Sequence, residues 1–232
     1  MGSSFFTTRG VDVAVAEVSK VYHTPAEDVQ ALRSVDWRVK SGEAVAIMGP
    51  SGCGKSTLLN LLGGVDRPTS GRVQVDGADI GGMDERALEV YRLRKVGFVF
   101  QFYNLIPSIS AIENLELPMI MAGRAERESR ERAQGILDLV GLADKSHKRP
   151  EELSGGEQQR VAVGLALAND PALILADEPT GNLDSVNADA IARLLVSLAT
   201  EHGKTVIMVS HDQKTVDHFP HRYAMRDGKF ES

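Results

Sequence analysis

The sequence predicts an α/β fold with a mostly parallel core sheet and a helical lobe inserted into it. Three observations carry this. Short apolar strands alternate with helical segments, the pattern of parallel strands joined by crossover helices. A glycine-rich loop, Gly49-Pro50-Ser51-Gly52-Cys53-Gly54-Lys55-Ser56, lies between one such strand and one such helix. From about residue 101 to 152, strand signal gives way to helical periodicity and charge.

The elements follow in order. Residues 11–18 alternate apolar and polar, as a half-buried strand does. Residues 35–39 do likewise and end before a turn at Ser41-Gly42. Residues 44–48 form a short buried strand that leads into the glycine-rich loop, and 56–62 continue as a helix. A strand at 72–75 sits between Gly71 and Gly77; a helix at 84–94 and a strand at 96–100 follow. In the middle lobe, 124–140 reads as a helix with a solvated, charged face. Then come an apolar strand at 173–176, a helix at 185–202 stopped by Gly203, and a buried strand at 205–210. The 232 residues suffice for a large core and read as one domain, 1–232.

Bulk properties narrow the function. The net charge of −6 argues against bulk electrostatic binding, so no nucleic-acid partner is expected. With Cys53 the only cysteine, no intrachain disulfide can form. No apolar run reaches the roughly 18 to 20 residues of a membrane span, so any membrane role must come through a partner. Residues 1–10 lack the charged-then-apolar pattern of a signal peptide. Gly2 begins like a myristoylation site, but Phe6 stands where Ser or Thr is required. A cytosolic protein is expected.

The glycine-rich loop is built for phosphate. Its glycines let backbone amides approach the oxygens, Lys55 reaches the β- and γ-phosphates, and the Ser56 hydroxyl suits Mg²⁺. The helix that starts there adds its positive end. Cys53 needs to supply only its backbone. The run Leu173-Ile174-Leu175-Ala176-Asp177-Glu178 carries two carboxylates to a strand end, where ligands of α/β sheets bind. Asp177 is a hard oxygen ligand for Mg²⁺, and Glu178 is placed to polarise an attacking water as general base. Gln101 and His211 each follow a core strand, where a γ-phosphate is sensed. Leu153-Ser154-Gly155-Gly156-Glu157-Gln158 is a second anion-binding device at a helix start. Two half-sites for one ligand in one chain predict a dimer that closes around nucleotide.

In that order these motifs resemble, from about residue 12 onward, the ATP-binding subunits of ABC transporters. Gly49 to Ser56 resembles the Walker A loop, Gln101 the Q-loop, and Leu153 to Gln158 the signature. Leu173 to Asp177 resembles Walker B, Glu178 the catalytic glutamate, Gly181-Asn182-Leu183-Asp184 the D-loop, and His211 the switch histidine. The resemblance implies a P-loop NTPase core with an N-terminal antiparallel β subdomain and the inserted helical lobe. It implies ATP and Mg²⁺ as ligands, with Ser56, Gln101 and Asp177 on the metal. The nucleotide would be held by Gly49, Pro50, Ser51, Gly52, Cys53, Gly54, Lys55, Ser56 and Thr57, with Tyr22 stacked on adenine. In a head-to-tail homodimer Ser154, Gly155, Gly156 and Glu157 would cap the partner's γ-phosphate, with Asp184 at the interface.

The segments 99–107, 113–118 and 177–184 are similar to one subgroup, the ATPases of lipoprotein-release, macrolide-export and cell-division systems. This implies an integral-membrane permease of the macrolide-exporter type, with an extracytoplasmic domain, and a peripheral position on the cytoplasmic face of the membrane. Export or extraction of a substrate is expected; a regulatory ATPase whose partner controls a cell-wall enzyme is the alternative. Phe102, Tyr103, Leu105 and Ile106 are candidates for the partner's socket. A soluble ABC ATPase acting on DNA or ribosomes would need a coiled-coil insertion or a second ATPase domain. A P-loop GTPase would need an Asn-Lys-x-Asp motif, which the sequence lacks. One departure stands out: Gly164-Leu165 replaces the family's usual Ala-Arg, and a helical glycine costs roughly 1 kcal/mol relative to alanine.

Overall fold

The computed structural model describes residues 5–25 and 27–231. Gly2 therefore lies outside the described residues. Strands β1 (Val13–His23), β2 (Asp28–Val39), β4 (Ser70–Val75) and β5 (Ala78–Asp79) form an antiparallel sheet in the order β2-β1-β4-β5. A six-stranded sheet holds β3 (Ala44–Met48), β6 (Val96–Phe100), β7 (Leu173–Asp177), β8 (Thr205–Ser210), β9 (His221–Arg226) and β10 (Lys229–Phe230). Its order is β10-β9-β3-β8-β7-β6, parallel except for the last hairpin. Helices α1 (Lys55–Leu62) and α2 (Glu85–Lys95) flank the sheets. Helices α3 (Ala111–Met121), α4 (Glu126–Leu139) and α5 (Gly155–Leu167) build the lobe, and α6 (Ser185–Thr200) and the short α7 (Gln213–Val216) complete the core.

The central strands β3, β6, β7 and β8 are largely apolar because both faces are buried. Successive side chains point to opposite faces. Ala44, Ala46, Ile174, Ala176, Val206 and Met208 pack toward the lobe and α6. Val45, Ile47, Leu173, Leu175, Ile207 and Val209 pack toward α1 and the antiparallel sheet. One sheet thus separates two cores and joins them.

The antiparallel strands outrun their predicted limits. β1 continues past residue 18 to His23, and β2 starts at Asp28 instead of 35. Register shifts near Val15, Val18 and Lys20, with Glu17 at φ 52° and Ser34 at φ 48°, mark bulges. Each bulge breaks the two-residue alternation that a sequence pattern depends on. β9 and β10 were not anticipated: His-Arg-Tyr-Ala-Met-Arg buries only Met225 fully.

In the lobe, α4 buries Ala133, Ile136 and Leu137. Its outer face carries the ion pairs Arg124–Glu128 (2.6 Å) and Arg127–Glu131 (2.9 Å), the solvated face the sequence suggested. Gly164 of α5 lies against this face's inner side: a β-carbon there would come 3.0 Å from Ile136 Cγ2 and 3.4 Å from Leu115 Cδ2. The glycine lets α5 sit close to α3 and α4, and Leu165 packs on the same core.

The N-terminal segment is tied down by a buried ion pair. Asp170 accepts from Thr7 N (2.9 Å), Thr7 Oγ1 (2.8 Å), Thr8 N (2.9 Å) and Lys204 Nζ (2.5 Å). Burial alone would raise the Asp170 carboxyl; the bonds from Lys204 and the two threonines outweigh it and hold the group below its ordinary range. Asp170→Ala leaves Lys204 buried without its counter-charge, so unfolding stability falls by about 3–5 kcal/mol. Urea unfolding of the variant and the parent measures it; a loss under about 1 kcal/mol, the value of an exposed pair, contradicts the assignment.

Candidate nucleotide site

Register brings the predicted residues together. Met48 pairs with Ser210, Val209 with Asp177, and Asp177 with Phe100. The strands therefore end side by side, and the next residue after each is Gly49, His211, Glu178 or Gln101. A cleft of about 820 Å³ opens over this edge. Pro50, Ser51, Gly52, Gly54, Lys55, Ser56 and Thr57 line it, together with Gln101, Asp177, Glu178 and His211. Phe100, Phe102 and Asn104 also line it and were not read as site residues.

The loop needs glycine where it enters the helix. Gly54 has φ 107° and its β-carbon position is 2.5 Å from the Ala31 carbonyl, so no other residue fits without strain. The Lys55 ammonium folds back and donates to the carbonyls of Gly49 (2.8 Å) and Pro50 (3.0 Å). It also lies 3.9 Å from Glu178 Oε1. Cys53 is buried, and its carbonyl accepts from Gly228 N at 3.0 Å.

Ser56 Oγ donates to Asp177 Oδ1 at 2.9 Å, so two of the three expected metal ligands stand side by side. Burial raises the Asp177 carboxyl above its ordinary value; Ser56 works against this and Glu178 adds to it. Among the described residues no group of three or more His, Cys, Asp or Glu gathers to hold a metal. A hydroxyl and a carboxylate fit Mg²⁺, which takes few protein ligands and fills its shell with phosphate and water. Gln101 instead donates Nε2–H to Asn182 Oδ1 at 3.3 Å, and Asn182 Nδ2 donates to the Gln101 carbonyl at 3.2 Å. Asn182 was read only as part of the loop before α6.

Glu178 sits at φ 48°, a left-handed backbone that side chains avoid. That turn aims its carboxylate into the cleft. Oε2 is 2.9 Å from His211 Nδ1 and accepts from the His211 backbone N–H at 3.3 Å.

Ser154, Gly155, Gly156, Glu157 and Asp184 are absent from the cleft lining, as are Gly49 and Cys53 of the loop itself. Ser154 caps α5 in a reciprocal box with Glu157: Glu157 N donates to Ser154 Oγ, and Ser154 N donates to Glu157 Oε2 at 2.9 Å. Lys145 pairs with Glu157 and, with Ser154, holds its carboxyl down to about 2. Gly156 faces Asn187 of α6, where a β-carbon would collide with its amide. Asp184 caps α6 by accepting from Asn187 N at 2.9 Å. Tyr22, at the end of β1, also lies outside the lining; it donates to Asp66 Oδ2 at 2.8 Å, with Lys20 Nζ 4.7 Å from its ring centre.

Comparison with known proteins shows the family. The ABC transporter family model matches residues 32–181. An ABC transporter ATP-binding protein of Thermotoga maritima is 51% identical, over 94% of this chain and 92% of its own length. The lipoprotein-releasing system ATP-binding protein LolD of Treponema pallidum is 45% identical, over 93% of this chain and 96% of its own. The macrolide export ATP-binding/permease protein MacB of Hyphomonas neptunium is 46% identical over 94% of this chain, which spans 34% of that larger protein. Among solved structures, a dimeric post-hydrolysis state of an ATP-binding cassette from Methanocaldococcus jannaschii, bound to ADP and Pi, superposes with a TM-score of 0.87. It is 43% identical and covers 95% of this chain and 97% of its own. Motif order, sheet order and relatives agree, and the chain belongs to the ABC transporter family.

Proposed function

We propose that this chain is the ATP-hydrolysing subunit of an ABC transporter, closing head to tail with a second copy around two ATP and driving a membrane partner. One observation carries the reading. The cleft gathers the loop, both carboxylates, Gln101 and His211, while the capped Ser154 end of α5 stands outside it. Each copy then holds one half of a site that only a second copy completes.

Within the cleft the chemistry is positioning and charge neutralisation. Lys55 uses two N–H groups on loop carbonyls and has a third for anionic phosphate oxygens, which make the stronger, charge-assisted bonds. Ser56 and Asp177 would hold Mg²⁺, which would supply charge neutralisation on the phosphates. Glu178 accepts a proton from the attacking water as its oxygen bonds to the γ-phosphorus and the bond to the β–γ bridging oxygen breaks. His211 steadies that carboxylate through Oε2. The N–H groups of the partner copy's α5 start meet the γ-phosphate from the other side.

The partner is an integral-membrane permease with an extracytoplasmic domain, and the work is export or extraction of a substrate at the cytoplasmic face of the membrane. Similarity to LolD and MacB supports this. Among the described residues no helix is long and apolar enough to cross a membrane. The predicted socket splits in two. Leu105 packs on the core, whereas Phe102 is 74% exposed, and Ile120 and Met121 of α3 are exposed too. The exposed Phe102 ring beside Gln101 supports a membrane subunit docked there.

Glu178→Gln lowers turnover by about 10²–10⁴-fold, the usual weight of a general base. ATP binding persists, and a stable dimer accumulates with ATP. Phosphate release and light scattering read both effects; hydrolysis at the parent rate removes Glu178 from this role. Ser154→Arg keeps ATP binding to the monomer and abolishes ATP-driven dimerisation, and a dimer in that variant contradicts the shared site. Purification from detergent-solubilised membranes should recover a membrane protein with a large extracytoplasmic domain. Recovery with ribosomal or DNA-bound proteins alone overturns the membrane reading and leaves the ATPase chemistry standing.

A further inference from the structure

Gln159 lies on α5, one turn beyond Gly155 and on the same helix face. It is fully buried. Its Nε2 donates to the Phe100 carbonyl at 3.2 Å, immediately before Gln101. Its Oε1 has no hydrogen-bond partner among the described residues. The next carbonyl, that of Gln101, is held from another direction by Asn182. The chain then turns through Tyr103 (φ 33°) and Asn104 (φ 53°), two consecutive left-handed residues. Tyr103 returns to the same face of α5: its hydroxyl is 3.0 Å from where a β-carbon on Gly155 would be.

We propose that Gln159 is a positioning residue that sets the start of α5 against the strand end bearing Gln101, so that nucleotide in one copy's cleft fixes the Ser154 end it offers to the other. This rests on the shared-site reading above. Three features support it. The bond joins α5 to the backbone of the strand end, one residue before a cleft side chain. The contact repeats one turn away, at Gly155, so the segment bears on the helix along a line and not at a point. The buried acceptor without a donor leaves the present arrangement unsaturated, as in an element with a second position available. When the turn at residues 101–104 shifts, its backbone donors pass along this face of α5, where Oε1 can accept from them.

Gln159→Met keeps length and approximate volume and removes both the donor and the unsatisfied oxygen. It is compared with its parent in the Glu178→Gln background by three readouts: thermal midpoint, affinity for a fluorescent ATP analogue with Mg²⁺, and the ATP concentration giving half-maximal dimer. The expected result is an unchanged affinity, within about twofold, with the dimerisation midpoint raised about tenfold, the loss of roughly one hydrogen bond of coupling. An unchanged dimerisation midpoint overturns the proposal. So does a parallel loss of thermal midpoint, affinity and dimer, which marks a merely structural side chain. If the parent itself gives no dimer with ATP, the shared site falls, and hydrogen exchange then decides on Gln159 separately. Without any variant, Mg²⁺ and ATP should slow exchange in residues 101–104 and 155–160 of the wild-type chain together. Protection of one segment alone overturns the coupling, and this readout stands even if Gln159→Met does not fold.

Discussion

The register of four parallel strands is the constraint on which the rest of this molecule depends. β3, β8, β7 and β6 end in adjacent rows, and the chain leaves each end straight into the cleft. A slip of one residue in any strand would turn its apolar side chains to the other core and withdraw its site residue from the edge. Burial on both faces prevents that slip. Val45 and Ala46 occupy separate cores and differ in bulk, and Ile207 and Met208 do so and differ in branching, so neither of a pair fits the other's place. Hydrophobic packing far from the nucleotide thus fixes distances at the site, including the 2.9 Å from Ser56 to Asp177 and from His211 to Glu178.

What was legible in the sequence follows from the same constraint. A strand buried on both sides is apolar at nearly every position, so 44–48, 96–100, 173–176 and 205–210 announce themselves, and Gln101, Asp177 and His211 after the last three stand out against them. Edge and bulged strands obey no such rule. β9 carries two arginines and a histidine because most of it faces solvent. β1 and β2 lose alternation at Glu17 and Ser34. Long-range polar pairing was equally hidden: nothing local to Asp170 points to Thr7, Thr8 and Lys204, or local to Asn182 to Gln101. The glycine at 164 looked like a weakness in a helix, yet Ile136 and Leu115 lie where a side chain would go.

The lobe shows how capping, packing and charge divide the work. Ser110 with Glu113 and Ser154 with Glu157 form the same reciprocal cap. Each satisfies orphan amides at a helix start, worth about 1 kcal/mol. At α3 the cap serves the lobe's own fold. At α5 it also fixes the Ser154 backbone at an exposed end, and Lys145 braces the Glu157 side of the box. A single local motif thus stabilises one helix and, in the proposed dimer, readies another for a ligand.

Lys55 gives the loop a charge threshold. Its ammonium donates to two carbonyls of the loop it belongs to, and its third N–H remains for an anionic acceptor. A nucleoside offers that donor no charge, and a single phosphate set back from the loop offers little. A polyphosphate does, because its oxygens carry full charge. In the proposed site the loop therefore grades nucleotides by the length of the anionic tail they bring, independently of the base.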